Sequence, residues 1–151
     1  MSTTTHSEPV QGETARDTTV GSPVQHRRQL IQTLLESGCS SIAEIADPSA
    51  RARLQAEFRT VGDLLTALHE HWVALLERNL DIALDEEDPA FAVGIAWDAT
   101  VLHSPQLRRV LDAHADHPLM RTLSHRERVR LGRLTGLGAG GVALAVKSFS
   151  A

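Results

Sequence analysis

The chain has 151 residues, of which 42% are apolar and 3% aromatic, and its net charge at pH 7 is -4. This length and apolar content allow one buried core, and the absence of tyrosine indicates helices packed by Leu, Ala and Val. The negative net charge argues against indiscriminate binding to nucleic acids.

Cysteine usage and hydropathy indicate the cellular compartment. Cys39 is the single cysteine, so the chain cannot form an internal disulfide. The sequence opens without a charged and apolar leader, and it contains no apolar run of 18 residues. We therefore expect a cytoplasmic protein that has no membrane partner.

The first part of the chain has the composition of a disordered tail. Residues 1–21 are rich in Thr, Ser, Glu and Gly and contain almost no apolar side chains. Such a segment cannot compensate its ordering entropy by burial. Order is predicted to begin at Ser22, where Pro23 occupies the first position of a helix that ends at Ser37, before Gly38.

Three helix-cap signatures follow close together along the chain. They are Ser41 with Glu44, Asp47 with Pro48, and Thr60 with Asp63. The signatures predict two short helices joined by a tight turn and then a long third helix, which is the layout of a helix-turn-helix DNA reader. We assign residues 22–65 to this unit.

The same segment resembles a known protein family. An apolar helix with a terminal Gly is followed by an S-x-A-E-I-A motif, a basic helix ending in L-x-x-x-F, and an x-[ST]-x-x-x-L-L motif. The matching pieces are Leu30 to Gly38, Ser41 to Ala46, Arg51 to Phe58, and Thr60 to Leu65. This order is similar to the N-terminal domain of tetracycline-repressor-type (TetR) transcriptional regulators. The resemblance implies an all-α protein whose helix-turn-helix unit continues into a small helical bundle.

The resemblance also implies where DNA would be contacted. Arg51, Arg53 and Gln55 would approach bases or phosphates, and Thr60 would hold a phosphate near the start of the long helix. Residues 25–60 contain five Arg and four acidic residues, so counterion release would contribute only weakly to binding. A DNA-binding surface therefore requires the arginines to face one way and the acids to be turned away.

The long helix is predicted from Val61 to about Leu84 with one buried face. Trp72 lies in this apolar stripe, together with the leucines, Val61 and Ile82. Asn79 also lies in the stripe, which suggests either a satisfied buried amide or a polar position that faces a ligand cavity.

A second helix, PAFAVGIAWDATVLH, is apolar nearly all the way round and is expected to be central. Its only charged residue, Asp98, either lies in a solvated groove or takes part in ligand binding. Trp97 either lines a pocket or packs at an exposed edge. The candidate ligand pocket is therefore formed by Trp72, Asn79, Trp97 and Asp98.

Two more helices complete a bundle that spans residues 61–135. One begins at Ser104, and the other is predicted to be capped by Ser124 and Glu127. Arg126, Arg130 and Arg133 form a stripe on the latter helix, which is typical of a solvated or partner-facing surface.

The end of the chain, residues 136–151, is interpreted as a Gly-rich joint and an apolar strip. The strip could form a strand with a partner chain, pack as a last helix turn, or remain loose. An exposed apolar end favours self-association unless other residues cover it.

The sequence predicts no metal site, no cofactor and no catalytic centre. His69 and His71 are two residues apart on a helix and point about 160° away from each other, so they cannot hold one ion together. Cys39 has no His or acid placed beside it by local spacing, and no paired-carboxylate, Ser-His-Asp or cofactor motif occurs. We therefore do not expect an enzyme.

Two functional hypotheses of different class remain. The first is a small TetR-like DNA-binding transcriptional regulator that forms a homodimer and responds to a small-molecule effector. The second is a non-catalytic α-helical interaction or scaffold protein that does not bind DNA. The second would dock on a protein partner through the Arg126 stripe and the C-terminal strip.

Overall fold

The structure, a computed structural model, describes residues 21–150, with side chains described up to residue 148. These residues form seven α-helices, which confirms the predicted all-α fold. The helices are α1 (Pro23–Ser37), α2 (Pro48–Glu57), α3 (Val61–Leu84), α4 (Pro89–His103), α5 (Pro105–Ala113), α6 (Pro118–Thr135) and α7 (Gly138–Ser150). In this part of the chain, no helix is long and apolar enough to cross a membrane. The first 20 residues of the predicted disordered tail lie outside the described residues.

The connection between α1 and α2 differs from the sequence prediction. Gly38 ends α1 with φ 72°. Between Gly38 and the start of α2, the chain forms one 3-10 turn, Ile42–Glu44. Glu44 accepts a hydrogen bond from the Ser40 N–H at 3.0 Å, and the Ser41 side chain makes no cap. The prediction of a full helix here is wrong, because Pro48 keeps the preceding residue extended and too few residues remain after Gly38.

The cap of α2 is confirmed. Both carboxylate oxygens of Asp47 accept backbone N–H groups, from Ser49 at 3.1 Å and from Ala50 at 3.3 Å. The helix buries Ala50 and Leu54 and is followed by the buried Phe58. Because α2 contacts only α1 and the 3-10 turn extensively, it lies at the periphery of the molecule.

Helix α3 is the longest helix of the bundle and packs against α4, α5 and α6. Its cap is also confirmed, since the Thr60 hydroxyl oxygen accepts the Asp63 N–H at 3.0 Å. The buried face contains Trp72, which is fully buried, and most of the predicted leucines, whereas Leu75 is only partly buried. Val61 and Ile82, which the pattern placed on the same face, are 49% and 64% exposed because they lie near the two ends of the helix.

Helix α4 is central, as its apolar composition predicted. It packs against α3, α5, α6 and α7, and its inner faces carry small residues such as Ala92 and Ala96, both fully buried. Small side chains allow the neighbouring helices to approach closely. One face nevertheless remains open, since Ile95 is 39% and Leu102 82% exposed.

Helix α6 begins earlier than predicted. His117 has an extended backbone, and its Nδ1 accepts the Leu119 N–H at 3.2 Å, so Pro118 starts the helix. The prediction that Ser124 and Glu127 form the cap is wrong, because both residues lie inside α6. The reason is local: the extended residue before a proline and the proline at the first helical position define an earlier start.

Helix α7 takes the place of most of the predicted flexible joint and contains the apolar strip. Val142 is fully buried and Ala145 is 7% exposed in the packing against α4 and α6. At the α6–α7 corner, a Cβ on Gly132 would lie 2.8 Å from the carbonyl carbon of Gly138. The two backbones are therefore in a contact that only glycine permits.

Candidate functional site

The outer face of α2 is an exposed part of the predicted DNA-binding unit. Five exposed residues form this face: Ser49, Ala52, Arg53, Gln55 and Ala56. At about 100° per residue, Ala52 and Ala56 lie at the centre, with Arg53 and Gln55 towards the two edges. The buried Ala50 and Leu54 point the other way, towards the protein.

The other two residues predicted to contact DNA, Arg51 and Thr60, form hydrogen bonds within the protein. Arg51 is half-buried, and its Nη1 donates to the carbonyl oxygen of Ile45 at 3.1 Å. This bond braces the segment that leads into α2. Thr60 is exposed, but its hydroxyl oxygen is used in the cap of α3. Arg53 and Gln55 are both exposed, but they are two residues apart on α2 and therefore lie about 160° apart, at opposite edges of its outer face, while Arg51 lies behind this face.

The acidic side chains around α2 are also engaged. Glu57 forms an ion pair with Arg27, with 2.8 Å between its Oε1 and the arginine Nε. The same guanidinium lies 5.4 Å from the centroid of the Phe58 ring. As described above, Asp47 caps α2, while Glu44 holds the Ser40 N–H. Arg53 and Arg59 are exposed, and so are Glu44 and Asp47.

Of the four residues predicted to form a ligand pocket, the structure brings the two tryptophans together. The rings of Trp72 and Trp97 are 5.0 Å apart between centroids and meet edge to face at 74°. Asn79 is a satisfied amide instead: its Nδ2 donates to the Thr100 hydroxyl oxygen at 2.9 Å. Asp98 is exposed on α4.

Arg108 of α5 joins the two tryptophans. Its guanidinium carbon lies 4.8 Å from the Trp72 ring centroid and 5.5 Å from that of Trp97. It also forms an ion pair with Asp112 at 2.6 Å. The Trp72 Nε1 is buried and finds no hydrogen-bond acceptor among the described residues. A guanidinium against aromatic faces is a favourable cation–π arrangement.

A buried His–Glu pair lies at the centre of the bundle and was missed by sequence reasoning. His69 on α3 and Glu127 on α6 are only 7% and 8% exposed, and the His69 Nε2 lies 2.9 Å from the Glu127 Oε2. The imidazole N–H donates and the carboxylate accepts. The single local signal was the position of His69, four residues after Leu65 and three before Trp72 on the buried face of α3.

Two cavities border this pair. The α3–α6 groove has a volume of about 410 Å³ and is lined by charges of both signs, including Glu70, Glu77, Arg126 and Arg130. The Trp97 cavity has a volume of about 210 Å³ and lies where α7 packs against α4 and α6, with Arg108 of α5 in its wall. Its wall includes Trp97, Arg108, Met120, Arg128, Val142 and Lys147.

The pKa of one histidine is shifted from its ordinary value. Burial, and secondarily the positive charge of Arg28, lower the pKa of His71 from its ordinary value of 6.5. Residues 21–148 contain no group of three or more His, Cys, Asp or Glu side chains arranged to hold a metal ion.

We compared the chain with models of protein families, with curated proteins and with solved structures. No family model matches it, and no curated protein or solved structure matches it either.

Proposed function

We propose that this chain is a small TetR-like DNA-binding regulator that contacts DNA with the outer face of α2. The observation that supports this most strongly is the character of that face, which is exposed, has small side chains at its centre and carries Arg53 and Gln55 at its edges. The helix is held from behind by Ala50 and Leu54, so the face is presented on a fixed support.

The dimensions of α2 suit the major groove. Its 10 residues correspond to about 15 Å of helix, and a groove about 12 Å wide admits an α-helix. The small side chains of Ala52 and Ala56 would allow the helix axis to approach the base edges closely. From the two edges, Arg53 could donate to guanine and Gln55 could form a bidentate contact with adenine.

The electrostatics of the unit support the same proposal. Glu57 is paired with Arg27, and Asp47 is satisfied by two backbone N–H groups of α2. These acids therefore have partners within the protein, although Asp47 is as exposed as Arg53 and Arg59. Two cations give only a modest phosphate attraction, so we expect weak non-specific binding and a dependence on base contacts.

The proposal is tested in two steps. Duplexes are first selected from a random-sequence DNA pool by the full chain, and the affinity for the enriched duplex is then measured by fluorescence anisotropy. Arg53→Ala should weaken binding about tenfold or more, since one specific contact contributes about 1–3 kcal/mol. Arg53→Lys separates the two roles of the side chain, because lysine keeps the charge but loses the bidentate geometry.

The matched control for this experiment is Arg133→Ala, which removes an exposed arginine on α6, far along the chain from α2. It should leave the affinity unchanged. If no duplex is enriched, or if Arg53→Ala and Arg133→Ala behave alike, the DNA-binding proposal is abandoned.

A second candidate function, protein interaction without DNA binding, is favoured by the open face of α4. Ile95 and Leu102 are exposed there, seven residues apart on one side of the helix, with Asp98 between them. The C-terminal strip is less suited to this role than the sequence suggested, because Val142 and Ala145 are buried within the chain.

This candidate is tested by sedimentation velocity. A second copy docked on α4 would make the wild type dimeric at micromolar concentration and Leu102→Asp monomeric. A wild type that sediments as a monomer would exclude self-association through this face.

A further inference from the structure

The Trp97 cavity differs from the α3–α6 groove in the balance of its charges. Three cationic side chains line it, Arg108, Arg128 and Lys147, whereas Glu127 is its only acidic residue. In the groove, three glutamates face two arginines, and Glu77 is already paired with Arg130. The cavity therefore carries an excess of positive charge that the groove lacks.

The positive charges of the cavity are only partly compensated within the protein. Glu127 is engaged with His69, and Arg108 is paired with Asp112, outside the cavity wall. Among the described residues, neither Arg128 nor Lys147 forms an ion pair with a carboxylate. A cation that is half-buried, as Arg128 is, favours an anionic partner more strongly than one in water.

Apart from His69 and Ser124, the remainder of the wall is apolar. Trp97, Met120, Val142 and Ala143 contribute side chains from α4, α6 and α7. The volume of the Trp97 cavity, about 210 Å³, exceeds the roughly 150 Å³ of an engineered apolar cavity that accommodates benzene. A ligand with one ring, or with a short aliphatic chain, would fill this space.

We propose that the Trp97 cavity binds a small organic monocarboxylate whose body is a single ring or a short aliphatic chain. The carboxylate pairs with Arg128 and Lys147, and the body packs against Trp97 and Val142. Arg108, which is paired with Asp112 and held against the two tryptophans, is part of the same wall. The inference does not depend on DNA binding by α2.

The two tryptophans provide a direct readout. The chain contains two Trp residues, one on the cavity wall and the other 5.0 Å behind it between ring centroids. The full chain is titrated with benzoate and with hexanoate at constant ionic strength, and the intrinsic fluorescence is followed. We expect a saturable change with at least one of these carboxylates, and binding about tenfold weaker or worse with neutral benzamide and with cationic benzamidine.

Two variants locate the site. Arg128→Ala should weaken carboxylate binding about tenfold or more, because it removes a charge-assisted hydrogen bond. Arg121→Ala, which removes an exposed arginine from the same helix, is the matched control and should have no effect. Ala143→Leu fills the cavity without changing its charge and should also abolish binding.

Several outcomes would overturn the proposal. Equal binding of benzoate and benzamide would show an apolar cavity with no preference for anions. Carboxylate binding that survives both Arg128→Ala and Ala143→Leu would place the site elsewhere, and no response to either carboxylate at millimolar concentration would exclude the site. Because a variant could simply unfold, each is checked by circular dichroism, and the increase in the wild-type Tm on adding benzoate is measured separately.

Discussion

His69 and Glu127 are 58 residues apart in the sequence, and their side chains meet at 2.9 Å in the interior of the bundle. The pair connects α3 to α6 and separates the α3–α6 groove from the Trp97 cavity. A buried polar pair of this kind fixes the relative position of two helices, because either partner left alone would be a desolvated polar group.

The energetic coupling of this pair is measurable. Glu127→Ala and His69→Ala should each lower the free energy of unfolding by about 1–3 kcal/mol, since each leaves a buried group without its partner. In a double-mutant cycle followed by urea unfolding, the coupling energy should be about 0.5–3 kcal/mol. The exposed pair Gln32 and Glu36, four residues apart on α1, provides a control cycle, with an expected coupling of about 0.2–0.5 kcal/mol. Equal coupling in the two cycles would show that His69 and Glu127 do not stabilise each other.

The two Asp-Pro dipeptides of the chain allow the cap of α2 to be tested. Asp47 accepts two backbone N–H groups, whereas Asp88, which precedes Pro89 at the start of α4, makes no side-chain cap hydrogen bond. Asp47→Ala should therefore lower the free energy of unfolding by about 1 kcal/mol. Asp88→Ala should change it by only about 0.3–1 kcal/mol, the helix-dipole contribution. Thermal unfolding of the two variants distinguishes these values, and a larger loss for Asp88→Ala would contradict the assigned caps.

The α6–α7 corner predicts opposite effects for two glycine substitutions. Gly132→Ala would force its new Cβ against the backbone of Gly138 and should destabilise the fold by about 1–3 kcal/mol. Gly140, in the first turn of α7, has open space at the Cβ position. Gly140→Ala should be neutral or stabilising, by up to about 1 kcal/mol. Chemical denaturation of both variants checks the prediction, and a harmless Gly132→Ala would mean that α6 and α7 are farther apart.

His71 predicts a pH dependence of stability. Its pKa in the folded protein lies below the ordinary value of 6.5. As the pH falls below about that value, the unfolded chain therefore binds more protons than the folded protein does. The free energy of unfolding should consequently decrease as the pH is lowered through this window and level off below the folded pKa. His71→Gln should remove this part of the decrease, whereas His125→Gln, at an exposed position of α6, should retain it. Parallel pH profiles for wild type and His71→Gln would contradict the assignment.

Features of the fold that depend on residues close together in the sequence could be predicted, whereas features that depend on contacts between distant residues could not. The caps formed by Asp47 and Thr60 were predictable because they are set by residues two or three positions away. The helical state of residues 138–150 could not be predicted in this way, because a glycine-rich segment is a weak helix former. Helix α7 depends instead on its packing against α4 and α6.

The candidate sites show the same division. Sequence pattern placed both tryptophans in a predicted pocket, and the structure brings their rings together. It also placed Asn79 and Asp98 there, but a position on one helix does not indicate whether a hydroxyl on a neighbouring helix, such as that of Thr100, will satisfy an amide. The pairing of His69 with Glu127, and of Arg108 with the tryptophans, required the tertiary arrangement of four helices, which no local spacing specifies.

The central claim, that the outer face of α2 binds DNA, is tested most directly by the salt dependence of binding. The dissociation constant of a selected duplex is measured by fluorescence anisotropy over a series of salt concentrations for the wild type, Arg53→Ala and Arg133→Ala. We predict a linear relation between log Kd and log salt whose slope falls by up to about one unit in Arg53→Ala and is unchanged in Arg133→Ala, with the largest loss of affinity in Arg53→Ala. Identical slopes and affinities for all three proteins would contradict the account.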